Sequence, residues 1–468
     1  MMSPDRRLFL GTAAAGAVAT LLPGCGSRGS EPQMPVSYEL GHPLPWVNWA
    51  GNQYCFPKQR LAPASEAEVV DALRQAAGRV RAVGTGHSFT ALVPTDDTLI
   101  ATDLLSGLVG HDATRLQAEL WAGTRLNDVG PLLAGIGQAL PIMPDVDHFA
   151  LGGAIATSVH GTSARFGSLS SHIVGLTLAT PSGELVECSA TQQPAVFNAA
   201  RVSVGSLGVI TRVRLQNEQP FQLTEVNRVE RTEDVLADLE QRFARHRHFE
   251  FLPLPNSDLS ATVATDLAKP QDKNLGQDDP QALNQLRQVF DAVSWMPGAA
   301  LVYDRVLKIA MGDAASSVRT GPSYQVFPHE RGIRFREMEY TVPAAAGPAC
   351  VREILRTLRE RQIPVCFPLE YRRVDADDIW LSMFEGRPGA TISVHQFGDL
   401  DHRPYFAAIE PIFWKYEGRP HWGKLHTLDA KRLAALYPKH WKDFQEVRQH
   451  LDPQGKMLNP HLRTIFGA

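Results

Sequence analysis

The chain has 468 residues, more than one ordinary core accommodates, so two domains plus processing segments are expected. Its 46 Lys+Arg against 50 Asp+Glu leave a net charge of −4, which supplies no basic field for a nucleic-acid partner. Hydrophobic residues at 44% can fill large cores, while 37 dispersed Gly, 33 dispersed Pro and 5 Cys exclude collagen, wholesale disorder and a disulfide-stapled scaffold.

The first thirty residues read as a signal rather than as fold. Arg6-Arg7-Leu8-Phe9-Leu10 opens an Ala/Gly-rich apolar run to Leu22, closed by Pro23-Gly24-Cys25-Gly26-Ser27. The arginine pair resembles a twin-arginine export signal, which implies the export machinery as a partner and a location on the periplasmic side. The run is too short for a permanent transmembrane helix and lacks the polar face of an amphipathic one. Leu22-Pro23-Gly24-Cys25 resembles a lipobox, which would make Cys25 an acylated N-terminus, although Pro23 departs from that pattern. Residues 1–30 are thus expected as signal and 31–45 as a Gly/Ser/Pro-rich tether.

Ser65 caps a helix that Val69, Leu73, Ala76 and Ala77 continue. Residues 79–83 then read as a strand running into Gly84-Thr85-Gly86. Another strand is expected over 116–122, with a helix from Asn127. A hairpin is expected over 174–180 and 185–189, and a long strand over 207–215. Past Pro220 the texture changes, and this is the best single domain boundary. Polar sequence over 256–288 looks like a surface excursion. Strands resume at 335–342 and 364–371, with a helix over 350–359 between them. No repeat of twenty to fifty residues is visible.

Three stretches carry potential chemistry. In the first, a strand ends in Gly84-Thr85-Gly86 and exposes consecutive N–H groups, a nest for a pyrophosphate or simply a tight turn. The Rossmann fingerprint would require a third glycine and a helix, where His87-Ser88-Phe89 stands. The second, residues 151–162, is crowded with small residues, so its backbone can approach another backbone or a flat ring. A packed glycine helix is the plainer reading, but it does not explain His160-Gly161-Thr162 at its end. In the third, Glu370 and Arg372 share one strand face, with His421-Trp422-Gly423-Lys424 later in the chain. That set suits a polyhydroxylated substrate and developing negative charge, unless the pair is an ordinary surface ion pair. The 16 His show no metal-ligand spacing, so no metal is expected. Cys350 and Cys366 are either a periplasmic disulfide or buried free thiols, as are Cys55 and Cys188.

Taken together these segments resemble the vanillyl-alcohol-oxidase-type flavoproteins, and within them the sugar-lactone (D-arabinono-1,4-lactone and L-gulono-1,4-lactone) and alditol oxidases. The matching signatures, in the family's order, are Asn48-Trp49-Ala50-Gly51-Asn52, Gly84-Thr85-Gly86-His87-Ser88-Phe89, Gly152-Gly153 to His160-Gly161-Thr162, Met338-Glu339-Tyr340, Glu370-Tyr371-Arg372, His421-Trp422-Gly423-Lys424 and Asp452-Pro453-Gln454-Gly455-Lys456. The resemblance implies an α+β protein. A two-subdomain FAD-binding domain would occupy 46–220 and an α+β substrate (cap) domain 221–424. Residues 425–468 would return to the FAD domain.

The resemblance also implies roles. Ala82, Val83, Gly84, Thr85, Gly86, His87 and Ser88 would hold the FAD pyrophosphate, with His87 bonded covalently to the flavin 8α-methyl. Ala150, Leu151, Gly152, Gly153, Thr157, His160 and Gly161 would contact the isoalloxazine and ribityl chain, and Val209 and Ile210 the adenine. No cysteine sits in the second loop, so a single attachment is expected. Lys424 and Arg372 would polarise the reacting hydroxyl as hydride leaves for flavin N5, and Glu370 would bind the neighbouring hydroxyl. His395 matches a substrate-side histidine. Phe397 and Asp145 replace two hydroxyl residues of alditol oxidases, which favours a carbohydrate-like hydroxyl compound over a simple alditol.

Pro144 matches the position against the flavin edge where O₂ arrives. Dehydrogenases of the family place alanine there, and oxidases glycine or proline, unless Pro144 merely shapes a loop. An oxidase passing electrons to O₂ and releasing H₂O₂ is therefore expected. The alternatives are a dehydrogenase using a quinone or cytochrome, and a non-catalytic FAD-fold binding subunit, which the intact Glu370, Arg372 and Lys424 set disfavours.

Overall fold

The computed structural model describes residues 44–269, 274–275, 281–296, 298–311, 316–330 and 332–468. The expected export signal, Cys25 and the tether as far as residue 43 lie outside them. Among the described residues no helix is long and apolar enough to cross a membrane.

Strand β1 (Trp46–Val47) pairs antiparallel with β2 (Tyr54–Cys55). Next, β3 (Gln59–Leu61), β4 (Val80–Val83) and β5 (Thr98–Ala101) form a parallel sheet in the order β3-β5-β4. The helix Glu66–Gln75 crosses over between β3 and β4. It starts where Ser65 Oγ accepts the Glu68 N–H at 3.2 Å, and buries Val69 and Leu73 beside Val80 and Ile100.

The second sheet comprises β6 (Leu108–Asp112), β7 (Gln117–Trp121), β8 (Ile173–Ala179), β9 (Leu185–Cys188) and β10 (Val209–Gln216). Its strands are antiparallel in the order β6-β7-β10-β8-β9, and the expected hairpin is the β8–β9 pair. Helices Leu126–Gly135 and Leu151–Ala156 lie between β7 and β8 in the chain. The small-residue run is thus helical only in its first half, and Ser158 then takes a left-handed φ of 61°.

The third sheet holds β11 (Gln222–Arg231), β12 (His248–Pro253), β13 (Leu259–Leu267), β14 (Ser316–Pro322), β15 (Phe335–Pro343), β16 (Glu370–Val374), β17 (Gly389–Phe397) and β18 (Arg419–Pro420). They run antiparallel in the order β14-β11-β13-β12-β16-β17-β15-β18. Every residue of β17 is buried, so it is a central strand covered on both faces.

Three expectations need correction. Within the stretch 256–288, expected as a surface excursion, Leu259–Leu267 form β13, which pairs with both β11 and β12. Its polar residues are satisfied by neighbours: Thr262 Oγ1 donates to Glu230 at 2.8 Å, and Ser260 Oγ meets Thr232 Oγ1 at 2.8 Å. The strand expected over 364–371 begins only at Glu370, since Pro364 and Pro368 have no N–H for a ladder. No disulfide joins Cys350 and Cys366. Both are free and buried, and burial pushes the Cys350 thiol far up.

The C-terminal residues lace back onto β4 and the loop after it. Val80 N–H donates to Lys456 O at 2.9 Å and Phe89 N–H to Gly423 O at 2.7 Å. Asn459 Nδ2 donates to Ala91 O at 2.8 Å. Arg81, buried, donates to Leu92 O at 2.7 Å, Gly205 O at 2.6 Å, Met457 O at 2.6 Å and Val204 O at 3.0 Å.

Burial also sets the acid response. It pushes His172, His248, His421 and His461 down to about 4, and His426 to about 3. Unfolded imidazoles titrate near about 6.5, so between these values the unfolded chain binds the extra protons. Each histidine thus contributes stability that is full at neutral pH and is lost as pH falls from about 6.5 to about 4. The thermal unfolding midpoint is expected to fall steeply on acidification through that interval. A midpoint that holds or rises there contradicts this account.

Candidate active site

One cavity of about 310 Å³ gathers residues from all three sheets. Ala82, Val83, Gly84, Thr85, Gly86, His87 and Ser88 form one wall. Pro144, Asp145, Ala150, Gly152, Gly153, Thr157 and His160 form another, with Val209 and Ile210 further along. Glu370, Arg372 and Lys424 line the same space. The glycines here answer to contacts: a Cβ on Gly84 would sit 2.4 Å from Ala150 Cβ, so no side chain fits between the two loops.

Four expected residues stand back from the cavity. Leu151 is core, fully buried behind the glycine segment. Gly161 faces a second cavity of about 30 Å³, and a Cβ on it would meet Met143 O at 2.4 Å. His395 and Phe397, expected as substrate residues, are not among the residues lining this cavity. Both point from β17 into the aromatic core. His395 stacks on Phe367 at 4.8 Å and its Nδ1 meets Pro368 O at 3.1 Å, while Phe397 packs on Phe367 at 5.1 Å. His395 Nε2 lies 3.6 Å from Glu337 Oε1, a carboxylate of the cavity wall.

The first wall fits the phosphates of FAD. Among the described residues, no chain acceptor takes the backbone N–H groups of residues 84–88. Consecutive unpaired amides in a glycine turn make an anion nest, and the Arg81 guanidinium lies at the same wall. His87 stacks on Trp49 at 5.1 Å and meets the edge of Phe149 at 5.0 Å. Burial, aided by the charges of His148, Lys424 and Arg125, lowers it to about 4. Its ring is therefore a neutral base at neutral pH, the form able to bond an electrophilic carbon.

The far end of the cavity is a charged network. Arg372 Nε donates to Glu250 Oε2 at 2.5 Å, and its Nη2 lies 3.1 Å from Asp145 Oδ2 and 3.2 Å from Glu370 Oε2. Neither Nη2 contact is aligned as a hydrogen bond, which leaves a buried donor. Burial works against the Arg372 charge, but the three carboxylates outweigh it and hold its pKa well above the usual range. Lys424 Nζ bonds Glu337. Burial favours the neutral form of Glu337, yet Lys424 and His395 keep its pKa well below the carboxylate range. Glu339 is lowered in the same way to about 2, burial being overridden by His160. His160 bonds Gly161 O at 2.8 Å and Glu339 Oε1 at 2.6 Å, and since a carbonyl only accepts, its Nδ1 carries a proton.

Sequence reasoning missed Glu337 in the main cavity and Glu250 beside Arg372. Glu337 and Glu339 carried a signal, two carboxylates at period two in a strand that proves wholly buried or nearly so. Glu250 carried none, since it meets Arg372 only through the β12–β16 register. The His160, Glu339, His421 group and the Glu337, Glu370, His395 group each bring ligand atoms within 4.8 Å. Their hydrogen bonds and ion pairs to one another and to Lys424 and Arg372 account for that proximity.

Comparison with known proteins bears on this geometry. A family profile described as FAD binding domain matches residues 57–189, and one described as D-arabinono-1,4-lactone oxidase matches 213–465. An L-gulono-1,4-lactone dehydrogenase of Mycobacterium tuberculosis is 35% identical, covering 90% of this chain and 99% of its own. An L-gulonolactone oxidase of Bos taurus is 29% identical over 90% and 97%, and an alditol oxidase of a Streptomyces species 27% over 90% and 98%. The fold matches cholesterol oxidase from Brevibacterium sterolicum with a TM-score of 0.76 at 15% identity, over 94% of this chain and 100% of the other. With the amide nest, the glycine walls and the profile matches in agreement, the chain is an FAD-binding protein and belongs to the D-arabinono-1,4-lactone oxidase family.

Proposed function

We propose that this chain is an FAD-dependent oxidoreductase that oxidises a hydroxyl of a sugar lactone, an alditol or a related carbohydrate-like compound. One observation carries the reading: Glu370, Arg372 and Lys424 converge on the cavity that the glycine walls enclose. It also argues against a non-catalytic binding subunit. Bound FAD supplies the acceptor for the hydride leaving the carbinol carbon. Arg372 offers its unaligned Nη2 donor to the reacting oxygen, and Lys424 adds positive charge where alkoxide character develops. Glu370 accepts a hydrogen bond from a neighbouring hydroxyl. Trp49, Phe89, Phe149 and Phe335 line the cavity and limit water within it.

Oxygen is the proposed electron acceptor, with H₂O₂ as product, on the strength of Pro144 in the cavity wall. A quinone or cytochrome acceptor is the second reading, favoured by the 35% identity to a protein named as a dehydrogenase. The proposed division is an FAD-binding domain at 46–220, a substrate domain at 221–424 and a returning segment at 425–468. It is supported by the eight-stranded sheet starting at Gln222 and by the Lys456 and Met457 bonds to β4. Export to the periplasmic side, with or without a lipid on Cys25, rests on the N-terminal sequence, and membrane fractionation with mass analysis of the mature N-terminus tests it.

Three measurements examine the chemistry. If His87 holds the flavin covalently, the denatured protein band fluoresces yellow and the intact mass exceeds the chain by one FAD. Full recovery of flavin in an acid supernatant overturns the bond, though not FAD binding. Lys424→Ala is expected to slow flavin reduction by about a hundredfold or more at unchanged FAD content, the scale of losing an oxyanion donor. Near-normal reduction in that variant contradicts the assigned role. Finally, anaerobically reduced enzyme mixed with oxygenated buffer should reoxidise within the stopped-flow time range and release stoichiometric H₂O₂. Reoxidation over minutes, with fast turnover restored by a quinone or cytochrome, would establish the dehydrogenase instead.

A further inference from the structure

Oxidation of a carbinol to a carbonyl removes a hydride and a proton, and bound FAD accounts for the hydride alone. The proton needs a destination of its own, which the two cations of the site do not supply. The Arg372 guanidinium is never an acceptor. Lys424, ion-paired with Glu337, takes up a proton only in exchange for one that it gives away.

An acceptor stands directly behind Glu337. The antiparallel register of β15 and β17 sets His395 opposite Glu337, and the two side chains are 0% and 5% exposed. His395 Nδ1 lies 3.1 Å from Pro368 O, and a carbonyl only accepts, so Nδ1 carries a hydrogen. In the neutral ring Nε2 is therefore a lone pair. It is buried and makes no hydrogen bond. Glu337 Oε1 lies 3.6 Å from it, and ligand atoms of His395, Glu337 and Glu370 all fall within 4.8 Å of one another. Burial works against the Glu337 charge, but Lys424 and His395 hold its pKa well below the carboxylate range. A nitrogen lone pair thus faces a carboxylate with no proton between them, where water screens the repulsion weakly. One added proton turns that contact into an imidazolium–carboxylate pair. The other Glu337 oxygen, Oε2, accepts from Lys424 at the cavity wall, so a single carboxylate joins the site to the buried ring.

We propose that Glu337 and His395 are the proton acceptor of this site: the proton of the reacting hydroxyl passes by way of Lys424 and Glu337 to His395 Nε2 and is held there beside Glu337. The inference rests on the reading of the cavity as a hydroxyl-oxidising centre. In the step the substrate O–H bond breaks and its electron pair becomes the second carbon–oxygen bond of the carbonyl. The carbinol hydrogen leaves as hydride for FAD, and an N–H bond forms on His395. Lys424 gives one proton and regains one, so its charge is unchanged. Glu337 on β15, Glu370 and Arg372 on β16, and Lys424 after β18 are the charged groups that set this balance, while Phe335 and Phe367 flank the ring. His395 lies outside the cavity lining and acts through Glu337, as a residue that holds a proton rather than one that touches substrate. Oxygen and quinones each take up two protons on reduction, and the held proton is the one that the hydride does not bring.

The test counts protons while the flavin is reduced without oxygen. FAD-loaded protein in weakly buffered neutral solution, with a pH-indicator dye, is mixed anaerobically with L-gulono-1,4-lactone and, in a parallel run, with sorbitol. The wild type is expected to release almost no proton as its flavin is reduced, and His395→Asn to release one per flavin. Release of a full proton by the wild type, or equal retention by the variant, overturns the proposal. A merely structural role for His395 would not move this count. Infrared difference spectra of the wild type carrying isotope-labelled histidine give a readout that stands even if the variant does not fold. Imidazolium bands are expected to appear on reduction by substrate, and their absence overturns the proposal. If no hydroxyl compound reduces the flavin, the oxidoreductase reading fails and takes this proposal with it, whereas reduction with release of the proton removes the proposal alone.

Discussion

A buried guanidinium held by backbone carbonyls, rather than by a carboxylate, organises the cofactor end of this molecule. Arg81 stands on β4 immediately before the glycine turn and bonds carbonyls of Leu92, Val204, Gly205 and Met457. Burial lowers its pKa to about 9, with Asp452 working the other way, so it is charged at neutral pH. An unpaired buried charge would be untenable, and its fork of donors is what makes it tolerable. By tying the turn to the loop before β10 and to the C-terminal segment, Arg81 fixes the position from which the amides of residues 84–88 point. It also places a positive charge at the wall that carries these amides.

The opposite end of the cavity has the opposite electrostatic character. Carboxylates from β12, β15 and β16 and from the Pro144-Asp145 segment surround Arg372 and Lys424. Both cations are thus paired with carboxylates at the cavity wall. Between the two ends lie Trp49, Phe89, Phe149 and the glycine walls, which are apolar and closely approached. One cavity thus combines an end lined by open backbone amides, a flat apolar middle and an end of paired charges, a graded site that suits a phosphate-bearing cofactor.

Much of the cofactor side was legible in the sequence because its signals are local. A glycine turn after a strand, a capped helix at Ser65 and a hairpin at 181–183 are each specified within a dozen residues. Glu370 and Arg372 were legible as a same-face pair for the same reason. Glu250 was not, since 122 residues separate it from Arg372 and only strand pairing joins them. The inner strand β13 stayed hidden because it buries Ser260 and Thr262, whose hydroxyls find partners in Thr232 and Glu230 that composition does not reveal. His395 stands on β17, a strand buried on both faces, and meets the cavity's Glu337 from behind the lining.

The return of the C-terminal segment has a consequence for the order of assembly. The Arg81 bond to Met457 spans 376 residues, and the Asn459 bond to Ala91 spans 368. A ribosome therefore completes nearly the whole polypeptide before the loop that binds phosphates can acquire its final support. Contacts so distant in sequence are also slow to form. The glycine turn after β4 accordingly gains its C-terminal support only when synthesis is nearly complete. A chain halted a dozen residues short would retain every glycine of the cradle but lose the clasp that holds it in shape.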